Sequence, residues 1–158
     1  MTDDDDTDER GGTIDGGGII NLAWAGTAAF LVSALVATID PDLFGYVSTG
    51  VALALFALGC LVFLWAYALA VARSRTDLIG IGGLYFLQGT APQVVAFRLR
   101  LALALEVVGA IASSAIRPYT SLAFGILVPV FGLGLCGLWG ARYGRFAPRP
   151  VKDGVTGE

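Results

Sequence analysis

Long stretches without a charged side chain constrain this sequence more than any other feature. The chain has 158 residues, of which 56% are hydrophobic and only 15% are charged. Its apolar residues are gathered into four runs, at 19–39, 46–72, 101–116 and 119–141, and Glu106 is the single charged residue within them. A soluble domain of this size cannot hide so much apolar surface, whereas a lipid bilayer allows the outer surface to stay apolar.

The lengths of the runs predict membrane-crossing helices. A helix needs about 20 residues to cross the hydrocarbon layer, and the first, second and fourth runs suffice alone. The third run is shorter, but Thr90-Ala91-Pro92 is typical of a helix start, and Arg98 and Arg100 can snorkel to the interface. Open sheet edges cannot lie in lipid. We therefore predict an all-α membrane protein, a bundle of four transmembrane helices at about 19–40, 46–72, 92–117 and 119–142.

The basic residues predict the orientation, because cytoplasmic loops are enriched in Lys and Arg. The segment between the second and third predicted helices and the C-terminal segment hold eight of them: Arg73, Arg75, Arg98, Arg100, Arg142, Arg145, Arg149 and Lys152. The opposite side offers only Arg117, beside Asp40 and Asp42. The sequence thus predicts cytoplasmic N and C termini. The bias toward Arg, Ala and Gly is typical of GC-rich genomes and favours the cytoplasmic membrane of a bacterium or archaeon.

Three segments outside the helices have distinct compositions. Residues 1–18 hold seven of the 13 acids together with glycines, and such a segment buries too little surface to fold, so it is predicted to be disordered. Residues 76–91 are apolar but too short to span, and are predicted to form an interfacial loop or a short re-entrant piece. Residues 146–158 are predicted to be a flexible tail. The membrane domain is therefore expected at 19–145.

Glu106 is the candidate functional acid. An ionised side chain at the middle of a membrane helix costs about 3 kcal/mol on insertion scales, and intramembrane acids often mark ion or proton pathways. Three interpretations stay open: a neutral acid hydrogen-bonded within the bundle, a contact to a basic group of a partner, and a proton- or cation-coupled transport site. Candidate hydrogen-bond partners within the bundle are a tyrosine and the hydroxyl groups of Ser33, Thr38, Ser113 and Ser114.

Small residues recur at every fourth position along the fourth predicted helix. They lie on one face and allow a close approach of another backbone, either within the bundle or from a partner subunit. This candidate packing or partner face consists of Gly125, Gly132, Cys136, Gly140 and Gly144. Pro129 within the same helix removes one backbone hydrogen bond and predicts a kink.

The groups that usually carry catalysis are missing from the sequence. Histidine is absent, and the two cysteines lie within apolar runs without a CxxC motif. We therefore expect no enzyme, no cofactor, no metal site and no nucleic-acid partner. A basic patch beside the membrane is expected to contact anionic lipid headgroups, and it consists of Arg142, Arg145, Arg149 and Lys152.

The segment 122–146 (LAFGILVPVFGLGLCGLWGARYGRF), with Gly89-Thr90-Ala91-Pro92 before the third helix, resembles small four-pass membrane proteins of actinobacteria that have no assigned activity. The length and four predicted crossings also resemble those of small multidrug transporters with one membrane-embedded glutamate, although their acid lies on the first helix. The sequence therefore favours an accessory or scaffolding subunit of a membrane complex, which contacts other subunits or itself. The alternative is a small oligomeric proton-coupled transporter or flippase that uses Glu106.

Overall fold

The computed structural model describes residues 16–116 and 121–149, and these form helices joined by short connections. In chain order the helices are α1 (Gly17–Ile39), α2 (Pro41–Arg73), α3 (Ile81–Tyr85), α4 (Gln93–Ile116), a 3₁₀ helix (Ser121–Leu127) and α5 (Pro129–Tyr143). The described part contains no strand, and its β pairing is limited to an isolated bridge between Asp77 and Pro148. The predicted all-α architecture is confirmed.

Three helical segments are long and apolar enough to cross a membrane: Gly17–Ile39, Asp42–Arg73 and Ala123–Tyr143. They correspond to the first, second and fourth predicted crossings. The third predicted crossing falls on α4, which has 24 residues but carries Arg98, Arg100 and Glu106. The described residues thus form an all-helical structure with three helices long and apolar enough to span a membrane and a fourth long helix that contains charges.

The connection between α1 and α2 is a single residue, Asp40. The Leu43 backbone N–H donates a 3.2 Å hydrogen bond to Asp40 Oδ1, and Pro41 occupies the first turn of α2. Both features favour a helix start, so α2 begins at Pro41 rather than at residue 46 as the apolar run predicted. The helix has 33 residues and is about 50 Å long.

The last membrane segment is broken instead of merely kinked. Residues 117–120 lie outside the described residues, Ser121–Leu127 are wound as a 3₁₀ helix, and α5 begins at Pro129. Proline lacks a backbone N–H and is favoured at a helix start, which explains why the α-helix restarts there. At 15 residues, α5 is only about 22 Å long, and the 3₁₀ helix adds about 14 Å, so the two together reach the thickness of a bilayer.

Helix α5 lies at the centre of the packing. Its side chains Phe131, Leu135 and Trp139 are buried in the main hydrophobic cluster. The backbones of α5 and α2 touch, because a Cβ added at Gly134 would lie 2.8 Å from the carbonyl oxygen of Gly59. The opposite face of α2 is exposed and apolar, as expected for a surface that contacts lipid.

The arginine-rich segments meet at one end of the bundle. The guanidinium of Arg73, at the end of α2, donates to the carbonyl oxygens of Ala141 and Gly144 and forms an ion pair of 2.9 Å with Asp77. The Leu78 N–H donates to the Ala147 carbonyl oxygen at 2.8 Å. Residues 146–149, predicted as the start of a flexible tail, are therefore held against the segment that follows α2.

Segment 76–91 also folds more tightly than an interfacial loop. It contains α3, whose Leu84 and Tyr85 are buried against α5. Gly140 makes this approach possible, because a Cβ there would clash with the Leu84 carbonyl oxygen. The glycines of α5 thus let α3 pack closely against the bundle, and the position of α3 relative to the membrane stays a prediction.

Candidate functional site

The carboxyl group of Glu106 lies where α1, α4 and α5 meet. The residue is fully buried, with 0% of its surface exposed. The Thr27 hydroxyl on α1 donates to Glu106 Oε1 at 2.9 Å, and the Gly132 backbone N–H on α5 donates to Oε2 at 3.0 Å. Both oxygens therefore have partners. Within the part of the chain that the structure describes, the only ion pair is Arg73–Asp77, so Glu106 pairs with no described basic residue.

The break in the last membrane segment makes the Gly132 N–H available. In a continuous α-helix this group would donate to the Val128 carbonyl oxygen, but here that oxygen accepts from the Phe131 N–H at 2.8 Å and the Gly132 N–H donates to Glu106 Oε2. The first N–H groups of any helix lack partners within it and carry partial positive charge. Glu106 therefore caps the N-terminus of α5 from a neighbouring helix, an electrostatic environment that favours a carboxyl group.

Glycine is required at position 132. A Cβ added there would lie 2.5 Å from Glu106 Oε2 and 3.2 Å from Leu103 Cδ1. Real Cβ atoms do not approach a buried oxygen so closely, so any side chain would displace the carboxyl group. The absence of a side chain at Gly132 thus permits the hydrogen bond to Glu106 as well as the close packing of the helices.

The Thr27 hydroxyl has one hydrogen and two acceptors. Its oxygen lies 2.9 Å from Glu106 Oε1 and also 2.9 Å from the carbonyl oxygen of Ala23. When Glu106 is ionised, Thr27 donates to the carboxylate. When Glu106 is neutral, its O–H can donate to Thr27, which then donates to Ala23. The same positions of the heavy atoms therefore satisfy both protonation states.

The hydroxyl groups predicted to partner Glu106 lie elsewhere. Three of them donate to carbonyl oxygens of their own helices: Ser33, Thr38 and Ser113. Ser114 Oγ is buried and has no partner among the described residues. Depth along the helix axes does not by itself select Thr27: at about 1.5 Å per residue, Thr27 lies about 15 Å from the arginine-rich end and Ser33 about 24 Å, whereas Glu106 lies about 20 Å from it.

The predicted small-residue face is turned inward. All five members, Gly125, Gly132, Cys136, Gly140 and Gly144, are buried. Gly125 lies against Ser113 and Phe30, and Gly144 lies against Gly140 and Phe146. These contacts all lie within the chain, and the same glycines would have to leave them to meet a partner subunit.

Comparisons with protein-family models, curated proteins and solved structures gave no match. The resemblance of segment 122–146 to actinobacterial membrane proteins therefore stays a prediction. Within the described ranges, no three His, Cys, Asp or Glu residues lie close enough together to hold a metal ion.

The described members of the predicted basic patch are exposed, and its contact with lipid headgroups stays a prediction. Arg142 lines a groove of about 260 Å³ with Leu61 and Trp65 of α2, whereas Arg145 lines a separate groove of about 330 Å³ with Thr90 and Trp139. Arg149 is exposed, and Lys152 lies outside the described residues. Arg142 and Arg145 thus line different grooves.

The Arg100 side chain, predicted only to snorkel, has a structural function. Its guanidinium donates to the carbonyl oxygens of Phe86 and Leu87, at 2.7 and 2.9 Å. The backbone of Leu87 has a positive φ of 53°, a conformation that residues other than Gly adopt rarely. Arg100 therefore stabilises the strained turn that follows α3.

Tyr85 is a second buried polar residue, and it lies outside the long helices. Its ring stacks on Phe63 with centroids 4.7 Å apart, and its hydroxyl has no partner among the described residues. Burial, and to a lesser extent the neighbouring Tyr67, raises the pKa of Tyr85 above its usual value. The phenol therefore stays neutral at physiological pH and serves the packing of α3.

Proposed function

We propose that this chain is a non-catalytic integral membrane protein that acts as an accessory or scaffolding subunit of a larger membrane complex. The observation that carries this proposal is the closed environment of Glu106. Its two carboxyl oxygens accept hydrogen bonds from Thr27 of α1 and Gly132 of α5. The buried acid of α4 therefore connects three helices of the same chain. An acid engaged in this way supports a structural function for the bundle.

The proposal includes four crossings, with α4 as the third. Its 24 residues give a length of about 36 Å, enough for the hydrocarbon layer. Arg98 and Arg100 lie in its first two turns, where long side chains can reach the headgroups. Hydrogen bonds to both oxygens of Glu106 lower the cost of the remaining charge in the membrane. These features support a crossing by α4 despite its charges.

The proposed orientation has both termini in the cytoplasm. Gly16, at the start of α1, lies against Trp139 and Tyr143 at the end of α5. The segment after α2 is hydrogen-bonded to residues 145–149 at the same end. The arginines of both segments therefore share one side, and the rule that cytoplasmic loops are basic supports that side as the cytoplasm.

Tags at the two termini test the number of crossings and the orientation. We expect reporters at residue 1 and at residue 158 both to show cytoplasmic activity, because an even number of crossings returns the chain to its starting side. Alkaline phosphatase inserted after Asp40 is expected to be active, since the α1–α2 turn would lie outside. Reporters on opposite sides would indicate three crossings and contradict the proposed topology.

Purification in a mild detergent tests the function as a subunit. Exposed apolar side chains of α2, such as Leu61 at 66% and Leu64 at 62%, provide a surface for lipid or for a neighbouring subunit. We expect the tagged full-length chain to elute with another membrane protein at a constant molar ratio. A tag on that protein should in turn retrieve this chain. Elution of the chain alone, or only as a homo-oligomer, would disprove the subunit proposal.

A proton-coupled transporter or flippase is the second candidate. The observation that favours it is the hydroxyl of Thr27, which can serve the ionised and the neutral form of Glu106 without a rearrangement of heavy atoms. Broken helices whose ends point to a buried group also occur at the binding sites of transporters. In this candidate Glu106 would gain and lose a proton during each cycle.

A further inference from the structure

A large groove on the described surface runs beside the first turns of α4. It has a volume of about 900 Å³ and is open on one side. The turn that contains Leu87 and Gly89 forms one wall, and α4 from Gln93 to Leu101 forms the other. A second groove of about 360 Å³ shares Gly89 and Ala91 with it and is also lined by Arg145. The two grooves therefore lie side by side, and we refer to them together as the depression.

The lining of this depression is amphipathic and basic. Val94 and Phe97 are 56% and 65% exposed along one side. Arg98 is exposed and makes no hydrogen bond or ion pair with any described residue, and the same holds for the Arg145 side chain. Among the described residues, no acidic side chain lines either groove. The depression thus joins exposed apolar side chains to positive charges that have no counter-ion in the described part of the chain.

We propose that this depression binds one anionic phospholipid, with the Arg98 guanidinium on the phosphate and an acyl chain along Val94 and Phe97. The inference rests on the proposed crossing by α4, which puts Arg98 at headgroup level and Phe97 beside the hydrocarbon. An amphipathic anion matches both parts of the lining, whereas a soluble anion would leave the apolar side chains uncovered. Arg145 adds a second positive charge at the headgroup end.

Lipid titrations monitored by native mass spectrometry test this site on the full-length chain in detergent. We expect phosphatidylglycerol to bind more tightly than phosphatidylcholine with the same acyl chains. Arg98→Gln is expected to weaken the binding of phosphatidylglycerol about fivefold. A basic residue near an anionic headgroup contributes about 1 kcal/mol, which corresponds to about that change in affinity. The affinity for phosphatidylcholine should not change with this substitution.

Arg75→Gln is the matched control, since Arg75 is also exposed at the arginine-rich end of the bundle but lines neither groove. It is expected to leave the affinity for phosphatidylglycerol unchanged. Arg100 is unsuitable as a control because it holds the turn after α3. An equal loss in both variants, or no loss with Arg98→Gln, would refute the specific site.

Inorganic phosphate is titrated in the same way to separate a lipid site from a site for free anions. We expect it not to displace phosphatidylglycerol at concentrations comparable to that of the lipid. Displacement at equal concentration would overturn the lipid assignment. The tag experiment remains independent: unchanged cytoplasmic tags with no preference for anionic lipid would refute this site and leave the four-crossing topology intact.

Discussion

Gly132→Ala is expected to destabilise the protein by about 2–4 kcal/mol. The added Cβ would lie 2.5 Å from Glu106 Oε2, so the carboxyl group must move away from the Gly132 N–H. Overpacking costs about 1–3 kcal/mol and a buried N–H left without a partner costs about as much again, whereas alanine returns about 1 kcal/mol of helix propensity. The melting temperature in detergent measures the effect.

Gly50→Ala is the matched control for that substitution. Gly50 lies within α2, is exposed, and has open space where a Cβ would be added. We expect Gly50→Ala to leave the melting temperature unchanged or to raise it, because only helix propensity changes. A Gly132→Ala protein as stable as Gly50→Ala would show that the carboxyl group does not depend on this close approach.

Glu106 itself provides the second large effect. Glu106→Ala is expected to lower stability by about 3–5 kcal/mol, because it leaves a cavity and removes the partner of the Gly132 N–H. Glu106→Gln should cost only about 1 kcal/mol. Its amide oxygen can accept from Gly132, and its NH₂ group can donate to Thr27, which still donates to Ala23. Equal melting temperatures of the two variants would contradict this explanation.

The glutamine variant also separates the two proposed functions. Glutamine keeps the hydrogen bonds but cannot exchange a proton, so a transporter would lose proton flux while its stability stays close to that of the wild type. Flux into proteoliposomes, followed with an internal pH-sensitive dye, measures this loss. In a subunit, Glu106→Gln should instead retain the partner in purification. Wild-type flux in the glutamine variant would disprove the transport mechanism through Glu106.

A double variant tests whether the two residues act through the same contact. Gly132→Ala and Glu106→Ala each remove the hydrogen bond between α4 and α5, and the second change creates the space that the first one needs. The combined loss of stability should therefore be clearly smaller than the sum of the two single losses. Additive losses would indicate that the two residues destabilise the bundle independently.

The sequence predicts the helices well because lipid imposes long apolar segments. The uncharged runs correctly indicate α1, α2 and the last segment, since charge-free stretches of that length have few alternatives. Helix starts are predicted less well. The predicted start of α2 lies beyond Pro41 because Asp40 and Asp42 interrupt the apolar run. An acid that caps a helix and a proline in its first turn are nevertheless typical of a helix start.

Contacts between helices are where the sequence fails. The depth of Glu106 in its helix and the spacing of the glycines predict that Glu106 lies near the glycines of the last segment. Thr27, in contrast, is one of several residues of α1 that carry a hydroxyl group. The rotation of α1 about its own axis decides which of them faces Glu106. Within the 3₁₀ helix before Pro129, Gly125 lies against Ser113 of α4 and Phe30 of α1. Such features arise from packing between distant segments, which local patterns do not contain.

The unequal lengths of the helices couple this protein to the thickness of its membrane. At about 50 Å, α2 exceeds a hydrocarbon layer of about 30 Å, whereas the other long segments reach about 35 Å. It cannot tilt freely to hide the excess, because Gly59 holds it against Gly134 and Arg73 holds its end against α5. Part of α2 must therefore project beyond the hydrocarbon, and thicker bilayers should accommodate the bundle with less strain than thin ones.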